Sequence, residues 1–138
     1  MSREIGDLAL DSNAVIAYFA DNEKAADWIE SASALFFSVI VAGELEYGAF
    51  YSLRPKKNLK RLWSFLKQGT ILDVTRFTAR KYAEIRQDLA MKGKPIPEAD
   101  IWIAAACLEN DLPLLSDDAH FRQVPNLNWL DWTKPISR

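Results

Sequence analysis

The sequence predicts an α/β protein, a three-layer α/β/α sandwich around a central, mostly parallel sheet. Two observations point to this fold class: short apolar runs typical of strands alternate with segments of helical periodicity, and no internal repeat or linker-like stretch interrupts them. Strands separated by helices imply parallel pairing with helices on both faces of the sheet. A chain of 138 residues, 49% hydrophobic and 26% charged, is expected to form one domain over residues 1–138.

Each element has a local signal. The segment 35–40 is rich in aromatic and β-branched residues, which favours a strand, although so short an apolar run also fits a buried helix. Pro55 suits the first position of a helix, and the apolar stripe that follows it indicates an amphipathic helix ending near Gly69. In order, the predicted elements are a strand over 8–10, one broken helix or two short ones over 14–19 and 23–31, a strand over 35–40, helices over 41–53 and from Pro55 to Gly69, a strand over 70–74, a helix from Thr75 or Thr78 to Gly93, a helix over 101–108, and strands over 112–115 and 127–132.

The composition excludes several classes of protein. Cys107 is the only cysteine, so an internal disulfide or a multi-thiolate zinc site is impossible, and the usage fits a reducing compartment. Residues 1–10 contain no apolar stretch long enough for a signal peptide or a membrane span, so a cytoplasmic protein is expected. The formal net charge is −2, but the segment 47–72 is purely basic and the segment 95–121 is purely acidic in its charged residues other than histidine.

Four acidic residues stand where strand-like runs end or helices begin: Asp11, Glu44, Asp100 and Asp118. In a wound parallel sheet the strand ends converge on one crevice, so carboxylates that are distant in sequence become neighbours. Crowded carboxylates resist ionisation unless a cation neutralises them, and oxygen ligands suit Mg²⁺ or Mn²⁺. The residues by themselves therefore suggest a divalent-metal hydrolase.

These acids also have structural interpretations. Asp11 and Asp118 follow predicted strands, and each, taken alone, is more simply explained as a helix N-cap. Glu44 lies inside a mostly apolar stretch, where burial of an ionised carboxylate would require a partner. Asp100 falls about one turn into a helix that Pro97 is suited to begin, and the helix N-terminus favours the ionised form that a metal requires.

The basic segment has two interpretations. Its exposed cations would contact the phosphates of a nucleic acid, or they would form an ordinary solvated helix face. Core packing is the expected use of most of the tryptophans, but Trp63 is a candidate for base stacking because lysines share its helix. The candidate RNA-binding residues are Lys56, Lys57, Lys60 and Arg61.

Four motifs in register resemble the PIN-domain ribonucleases, most closely the VapC-like toxins of bacterial toxin-antitoxin pairs. The resemblance spans nearly the whole chain and includes the closing segment 124–127 and Trp132. The motifs are residues 10–13 (LDSN), 38–45 (SVIVAGEL) with 47–49 (YGA), 96–105 (IPEADIWIAA) and 114–121 (LLSDDAHF).

The resemblance implies a single PIN-like nuclease domain that cleaves RNA with Mg²⁺ or Mn²⁺. By position, the metal-binding and catalytic residues it implies are Asp11, Glu44, Asp100 and Asp118. It further implies that Ser12 and Ser116 hold a water or a ligand by hydrogen bonds and that Asn13 orients Asp11. The implied partners are an RNA substrate and a cognate VapB-like antitoxin, bound along the basic helix and the helix before it. We expect a homodimer and no association with membranes.

Two positions depart from the family pattern. Asp117 stands where many relatives carry a basic residue, and His120 stands where another Asp is common, so neither is given a role. Because the chain has one histidine, a two-histidine nuclease mechanism within one subunit is excluded. The alternatives are a non-catalytic PIN-like module that binds RNA or a partner, and a haloacid-dehalogenase-like phosphatase, whose second Asp would fall at Asn13. A phosphate-accepting receiver domain fits less well, because it lacks adjacent acids after the first strand.

Overall fold

The computed structural model describes residues 5–137. Residues 1–4 and 138 of the expected domain lie outside the described residues. Residues 1–4 also begin the segment 1–10, in which the sequence predicts no signal peptide. In order, the elements are β1 (Asp7–Leu10), α1 (Ser12–Phe19), α2 (Glu23–Glu30), β2 (Ala34–Ser38), α3 (Val39–Phe50), α4 (Pro55–Leu66), β3 (Thr70–Leu72), α5 (Arg76–Lys92), α6 (Glu98–Glu109), β4 (Leu114–Leu115), a 3₁₀ helix (Ala119–Gln123) and β5 (Trp129–Leu130).

The predicted α/β/α sandwich with a central parallel sheet is confirmed. The five described strands form one sheet in the order β3-β2-β1-β4-β5, and all neighbouring pairs are parallel. The chain runs outward from β1 through β2 to β3, then crosses back to the other side of β1 for β4 and β5. This reversal places a crevice at the carboxyl ends of β1 and β4, which is where ligands bind in sheets of this kind.

Strand β1 begins one residue before the predicted 8–10, whereas the other four described strands are shorter than the sequence predicts because pairing with a neighbour limits them. The predicted strand 35–40 stops at Ser38, whose Oγ accepts a hydrogen bond from Ile40 N (3.1 Å) and caps α3. Leu72 pairs with Ser38, so β3 ends where β2 ends. β4 has two residues instead of the predicted 112–115, and β5 pairs only with those two instead of spanning 127–132. The helix predicted over 41–53 takes up residues 39 and 40 and ends at residue 50.

The core lies between the sheet and its helices. Leu8, Leu10 and Phe37 are fully buried in the two central strands β1 and β2. Cys107 is buried, and burial raises the pKa of its thiol to about 12, so the thiol stays protonated at neutral pH. None of the helices within residues 5–137 combines the length and the apolar character that a membrane crossing demands.

Helix α6 is held to α5 at both ends. Near its start, Glu98 accepts hydrogen bonds from Tyr82 Oη (2.7 Å) and from Arg86, and Trp102 stacks on Tyr82 with ring centroids 4.0 Å apart. At its last residue, Glu109 accepts hydrogen bonds from the hydroxyls of the α5 capping box. The N-terminal turn of α6 is therefore fixed in place relative to α5.

Gly69 has a different role from the helix end that the sequence predicts. Helix α4 ends three residues earlier, at Leu66. A Cβ on Gly69 would lie 2.4 Å from the carbonyl oxygen of Leu35 and 2.7 Å from the ring of Phe37. The glycine is therefore required because the backbone entering β3 passes against β2 with no space for a side chain.

Candidate active site

Asp11 lies at the carboxyl end of β1 and is only 3% exposed. Its Oδ1 accepts a hydrogen bond from Ser12 N (2.9 Å), so the N-cap interpretation is confirmed for this oxygen. Its Oδ2 accepts hydrogen bonds from Ser116 Oγ (2.7 Å) and Asn13 Nδ2 (3.2 Å). The carboxylate thus begins α1 and also joins β1 to the end of β4.

Asn13 connects the ends of three strands. Its Nδ2 donates to Ser116 Oγ (3.0 Å), and its Oδ1 accepts from Asp117 N (3.0 Å) and from Trp132 Nε1 (2.9 Å). Ser116 is fully buried, and its Oγ also accepts from Asp118 N (3.1 Å). With its amide fixed by these partners, Asn13 has the geometry needed to orient Asp11, and Ser116 is occupied by protein groups.

Asp100, Asp118 and His120 form a compact cluster. Nε2 of His120 lies 2.6 Å from Asp100 Oδ2, and Nδ1 lies 3.7 Å from Asp118 Oδ1. One potential ligand atom from each residue falls within 4.8 Å of the others, and no second group of this kind occurs within residues 5–137. Asp118 precedes the 3₁₀ helix but makes no side-chain capping bond, so its N-cap interpretation is wrong.

Glu44 lies on α3 and is exposed, so the expectation that it is buried is wrong. Its apolar sequence neighbours Ala42 and Leu45 are buried, while Glu44 points away from them. Its Oε1 accepts a hydrogen bond from Ser12 Oγ (3.2 Å), which links α3 to the start of α1. Asp11 and Glu44 stand outside the compact cluster but belong to the same electrostatic environment.

The carboxylates influence one another's ionisation. Burial raises the pKa of Asp11 to about 6, and the charges of Asp100 and Asp118 add to the rise. Partial burial also raises the pKa of Glu44, assisted by the charges of Asp11 and Asp100. Partial burial raises the pKa of Asp100 and the charge of Asp118 acts in the same direction, whereas the hydrogen bond and charge of His120 oppose them. A cation placed among these groups would relieve the repulsion.

Asp117 adds to the negative charge of this region. It is exposed, and partial burial together with the charges of Asp118 and Asp131 raises its pKa. The donors around the cleft are carboxylate oxygens and hydroxyls, which fit Mg²⁺ or Mn²⁺, together with one imidazole.

In the absence of metal, the free energy of unfolding is expected to fall as the pH rises from about 4 to about 7. Asp11 has a folded pKa of about 6 against the ordinary value of 3.8, so its stabilisation is complete below pH 3.8 and is lost as the pH rises through about 6. A rise in pKa of this size corresponds to a loss of about 3 kcal/mol in the free energy of unfolding once Asp11 is ionised. Urea unfolding in EDTA measures the profile, and Asp11→Asn should flatten it. An equally steep decline in that variant would contradict the prediction.

The predicted basic surface is only partly free. Lys56, Lys57 and Lys60 are exposed on α4. The guanidinium of Arg61 lies 4.4 Å from the centre of the Phe19 ring and donates to the Phe19 carbonyl oxygen (3.1 Å), so Arg61 is engaged with α1.

Trp63 is 37% exposed, and its Nε1 donates a hydrogen bond to Glu46 Oε1 (2.6 Å). The larger omission is Trp132, whose indole fixes Asn13 from 119 residues away in the sequence. The closing segment of the family pattern contains Trp132, but nothing in the local sequence identifies its partner.

Comparison with known proteins identifies the family of the chain. A sequence profile described as the PIN domain matches residues 8–127. Ribonuclease VapC2 of Haemophilus influenzae is 35% identical over 104 residues, which is 75% of this chain and 79% of that protein. The tRNA(fMet)-specific endonuclease VapC of Salmonella typhimurium is 32% identical over 101 residues, 72% of this chain and 76% of that protein.

A solved structure extends the similarity to the fold. In the crystal structure of VapBC2 from Rickettsia felis bound to a DNA fragment from their promoter, one chain superposes with a TM-score of 0.83 and 26% identity, covering 91% of this chain and 98% of that chain. Sequence profile, sequence relatives and structure agree, and the chain therefore belongs to the PIN-domain family, in its group of VapC ribonucleases.

Proposed function

We propose that this chain is an endoribonuclease that hydrolyses RNA phosphodiester bonds with Mg²⁺ or Mn²⁺, and that it is the toxin of a VapBC-type toxin-antitoxin module. The observation that carries the proposal is the gathering of acids from separate elements at one edge of the sheet. Burial and neighbouring negative charge together raise the pKa values of Asp11, Glu44 and Asp100. Such an arrangement is unfavourable for the protein alone and favourable once a cation binds.

The proposed metal-binding residues are Asp11, Glu44, Asp100 and Asp118. Asp11 is the rigid member, because Ser12, Asn13 and Ser116 fix both of its oxygens. Asp100 is set by the first turn of α6, while Glu44 is exposed and accepts the hydrogen bond from Ser12 Oγ. A divalent ion in the site would lower the pKa of a bound water and offset charge on the phosphate.

Catalysis by this chain needs no histidine pair. His120 is the only histidine, and it is held against Asp100. The side chains around the cleft therefore bind, orient and provide negative charge, and proton transfer through two imidazoles is excluded within one subunit. The four acids provide enough oxygen ligands for either one ion or two, and titration of metal per chain would give the number.

RNA cleavage is expected in the presence of Mg²⁺ or Mn²⁺ and is expected to stop in EDTA. The measurement is incubation of the purified protein with structured and single-stranded RNA, followed by separation of the products by size. A non-catalytic PIN-like module would retain RNA on a filter without shortening it. A phosphatase would instead release inorganic phosphate from small esters, and either result would contradict the proposal.

The antitoxin site that we propose is an apolar groove of about 360 Å³ between α1, α3 and α4. Its lining includes Phe19, Leu45 and Leu62, together with Glu44 from the candidate active site. An amphipathic segment of a VapB-like antitoxin would bury its apolar face there. Because Glu44 lines the groove, a bound antitoxin segment would lie beside the candidate active site and could inhibit RNA cleavage there. An open reading frame for a short DNA-binding protein immediately upstream of the gene would support this assignment.

The exposed lysines of α4 are proposed to contact the phosphates of the RNA. Charge reversal at Lys56 and Lys60 together is expected to weaken RNA binding and to make it less dependent on salt. The slope of log affinity against log salt should fall by about 0.7 for each lost contact with single-stranded RNA. Filter binding from low to high salt measures it, with reversal of Lys24 and Lys81, exposed lysines outside α4, as the matched control. Equal slopes of log affinity against log salt in both variants would show that the lysines of α4 form only a solvated face.

Three further properties belong to the proposal. A single nuclease domain over residues 1–138 is supported by the single sheet of the described residues and by the PIN-domain match over residues 8–127. A cytoplasmic location is supported by the single buried cysteine. The homodimer stays a prediction that sedimentation of the purified protein would test.

A further inference from the structure

His120 meets a carboxylate at each of its ring nitrogens. Nε2 lies at hydrogen-bond distance from Asp100 Oδ2 (2.6 Å), whereas Nδ1 is 3.7 Å from Asp118 Oδ1. A neutral imidazole carries a proton on only one nitrogen. With that proton donated from Nε2 to Asp100, the lone pair of Nδ1 faces the lone pairs of an Asp118 oxygen. Two facing acceptors repel unless a positive charge lies between them, either the second proton of an imidazolium or a metal ion.

The distance between these two acceptors matches a pair of ligands on one ion. It exceeds the range of about 2.7–3.2 Å for a hydrogen bond. Two ligand atoms at about 2.1 Å from the same ion are separated by about 3 Å at a right angle and by about 4 Å when opposite. The observed 3.7 Å lies between these limits.

The contact at Nε2 has the form expected of a metal-binding histidine. Such a histidine usually donates its other ring N–H to a carboxylate or a carbonyl, which fixes the ring and its tautomer. Asp100 supplies that acceptor through Oδ2. The His120 side chain is 31% exposed, so an ion entering from solvent can reach it.

We propose that Nδ1 of His120 is a direct ligand of the metal ion, which makes this chain favour Mn²⁺ over Mg²⁺; this inference rests on the function proposed above. Imidazole nitrogen is a good ligand for transition-metal ions, whereas Mg²⁺ takes oxygen ligands almost exclusively. An aspartate at this position would give an all-oxygen site. The histidine therefore alters the choice of ion without changing the acids.

The test uses the fact that the chain has a single histidine. The untagged protein is prepared with ordinary and with ¹⁵N-labelled histidine, loaded with Mn²⁺, and studied by pulsed electron paramagnetic resonance. A coupling that changes with the histidine isotope can come only from His120. We expect that coupling in the wild type and its loss in both His120→Asp and His120→Gln.

Calorimetry of Mn²⁺ and Mg²⁺ binding provides the second readout. The ratio of Mn²⁺ to Mg²⁺ affinity should fall by about tenfold or more in His120→Asp, with Mg²⁺ binding retained. His120→Gln retains an N–H donor for Asp100 but offers only an amide oxygen to the ion, so it should also lose the Mn²⁺ preference. If His120→Gln instead kept the Mn²⁺ preference of the wild type, His120 would act only as a hydrogen-bond donor to Asp100, and the inference would be overturned.

The outcomes separate this inference from the proposed function. In one outcome, the wild type binds Mn²⁺ and cleaves RNA, Asp100→Asn loses Mn²⁺ binding, and the wild type shows no isotope-dependent coupling. That outcome would refute the histidine ligand and leave the proposed nuclease function intact. An isotope-dependent coupling in a protein that cuts no RNA would support the ligand and refute the nuclease. Absence of Mn²⁺ binding to the wild type would refute both.

Discussion

Asp11→Asn and Asp100→Asn are each expected to abolish RNA cleavage while leaving the protein folded. Asparagine preserves the shape of the side chain and one carbonyl oxygen, but it removes the charge that a divalent ion requires. A reduction on the order of 10²–10³-fold or more is expected when one preorganised group of this kind is lost. Cleavage rates with saturating Mg²⁺ or Mn²⁺, measured beside thermal unfolding, separate lost chemistry from lost structure.

Asp7→Asn is the matched control for these variants. Asp7 begins β1, while Asp11 follows its last residue, so the two acids lie at opposite ends of one strand. Asp7 is exposed and is not part of the proposed site. The control should cut RNA at the wild-type rate. Undiminished cleavage by Asp100→Asn would refute the assignment of Asp100, and loss of folding by Asp11→Asn would show that its role is structural.

Gly69→Ala is expected to lower the free energy of unfolding by about 1–3 kcal/mol. The added methyl group would lie 2.4 Å from the carbonyl oxygen of Leu35, a backbone atom fixed in β2. It would also lie 2.7 Å from the ring of Phe37, which is fully buried and has no space to retreat. Relief requires separation of β3 from β2. Urea unfolding with the same slope in both proteins would measure the loss.

Gly48→Ala provides a control with the opposite sign. Gly48 lies within α3, and a Cβ there meets nothing within 4 Å. Alanine in a helix is favoured over glycine by roughly 0.5–1 kcal/mol, so this variant should be slightly more stable than the wild type. Equal effects of the two substitutions would contradict the close approach of Gly69 to β2.

The order of strands and helices could be predicted because each element carries its own pattern. The ends of the strands could not, because they depend on partners: β3 stops at Leu72 since its neighbour in β2 stops at Ser38. The same distinction applies to the site. Asp11 and Asp100 stand at local signals, a strand end and a helix start, and can be identified from the sequence.

Other parts of the site depend on tertiary structure. The apolar residues around Glu44 suggest burial, but Glu44 lies on the exposed face of the helix. The partners of His120 lie at Asp100 and Asp118, and the nearer contact spans 20 residues of sequence. A pattern of residue types carries no information on which nitrogen faces which oxygen. These details follow only from the packing of α6 and the 3₁₀ helix beside the sheet.

The hydrogen bond between Asn13 and Trp132 has a consequence for biosynthesis. A ribosome makes Asp11 and Glu44 early, whereas Ser116, Asp118 and Trp132 follow only after β4 has been translated. Since β4 pairs with β1 and its trailing residues hold the first acid in position, a nascent chain has an unfinished crevice for most of its synthesis. Any nuclease activity of this fold is thereby delayed until nearly all of these residues have been made.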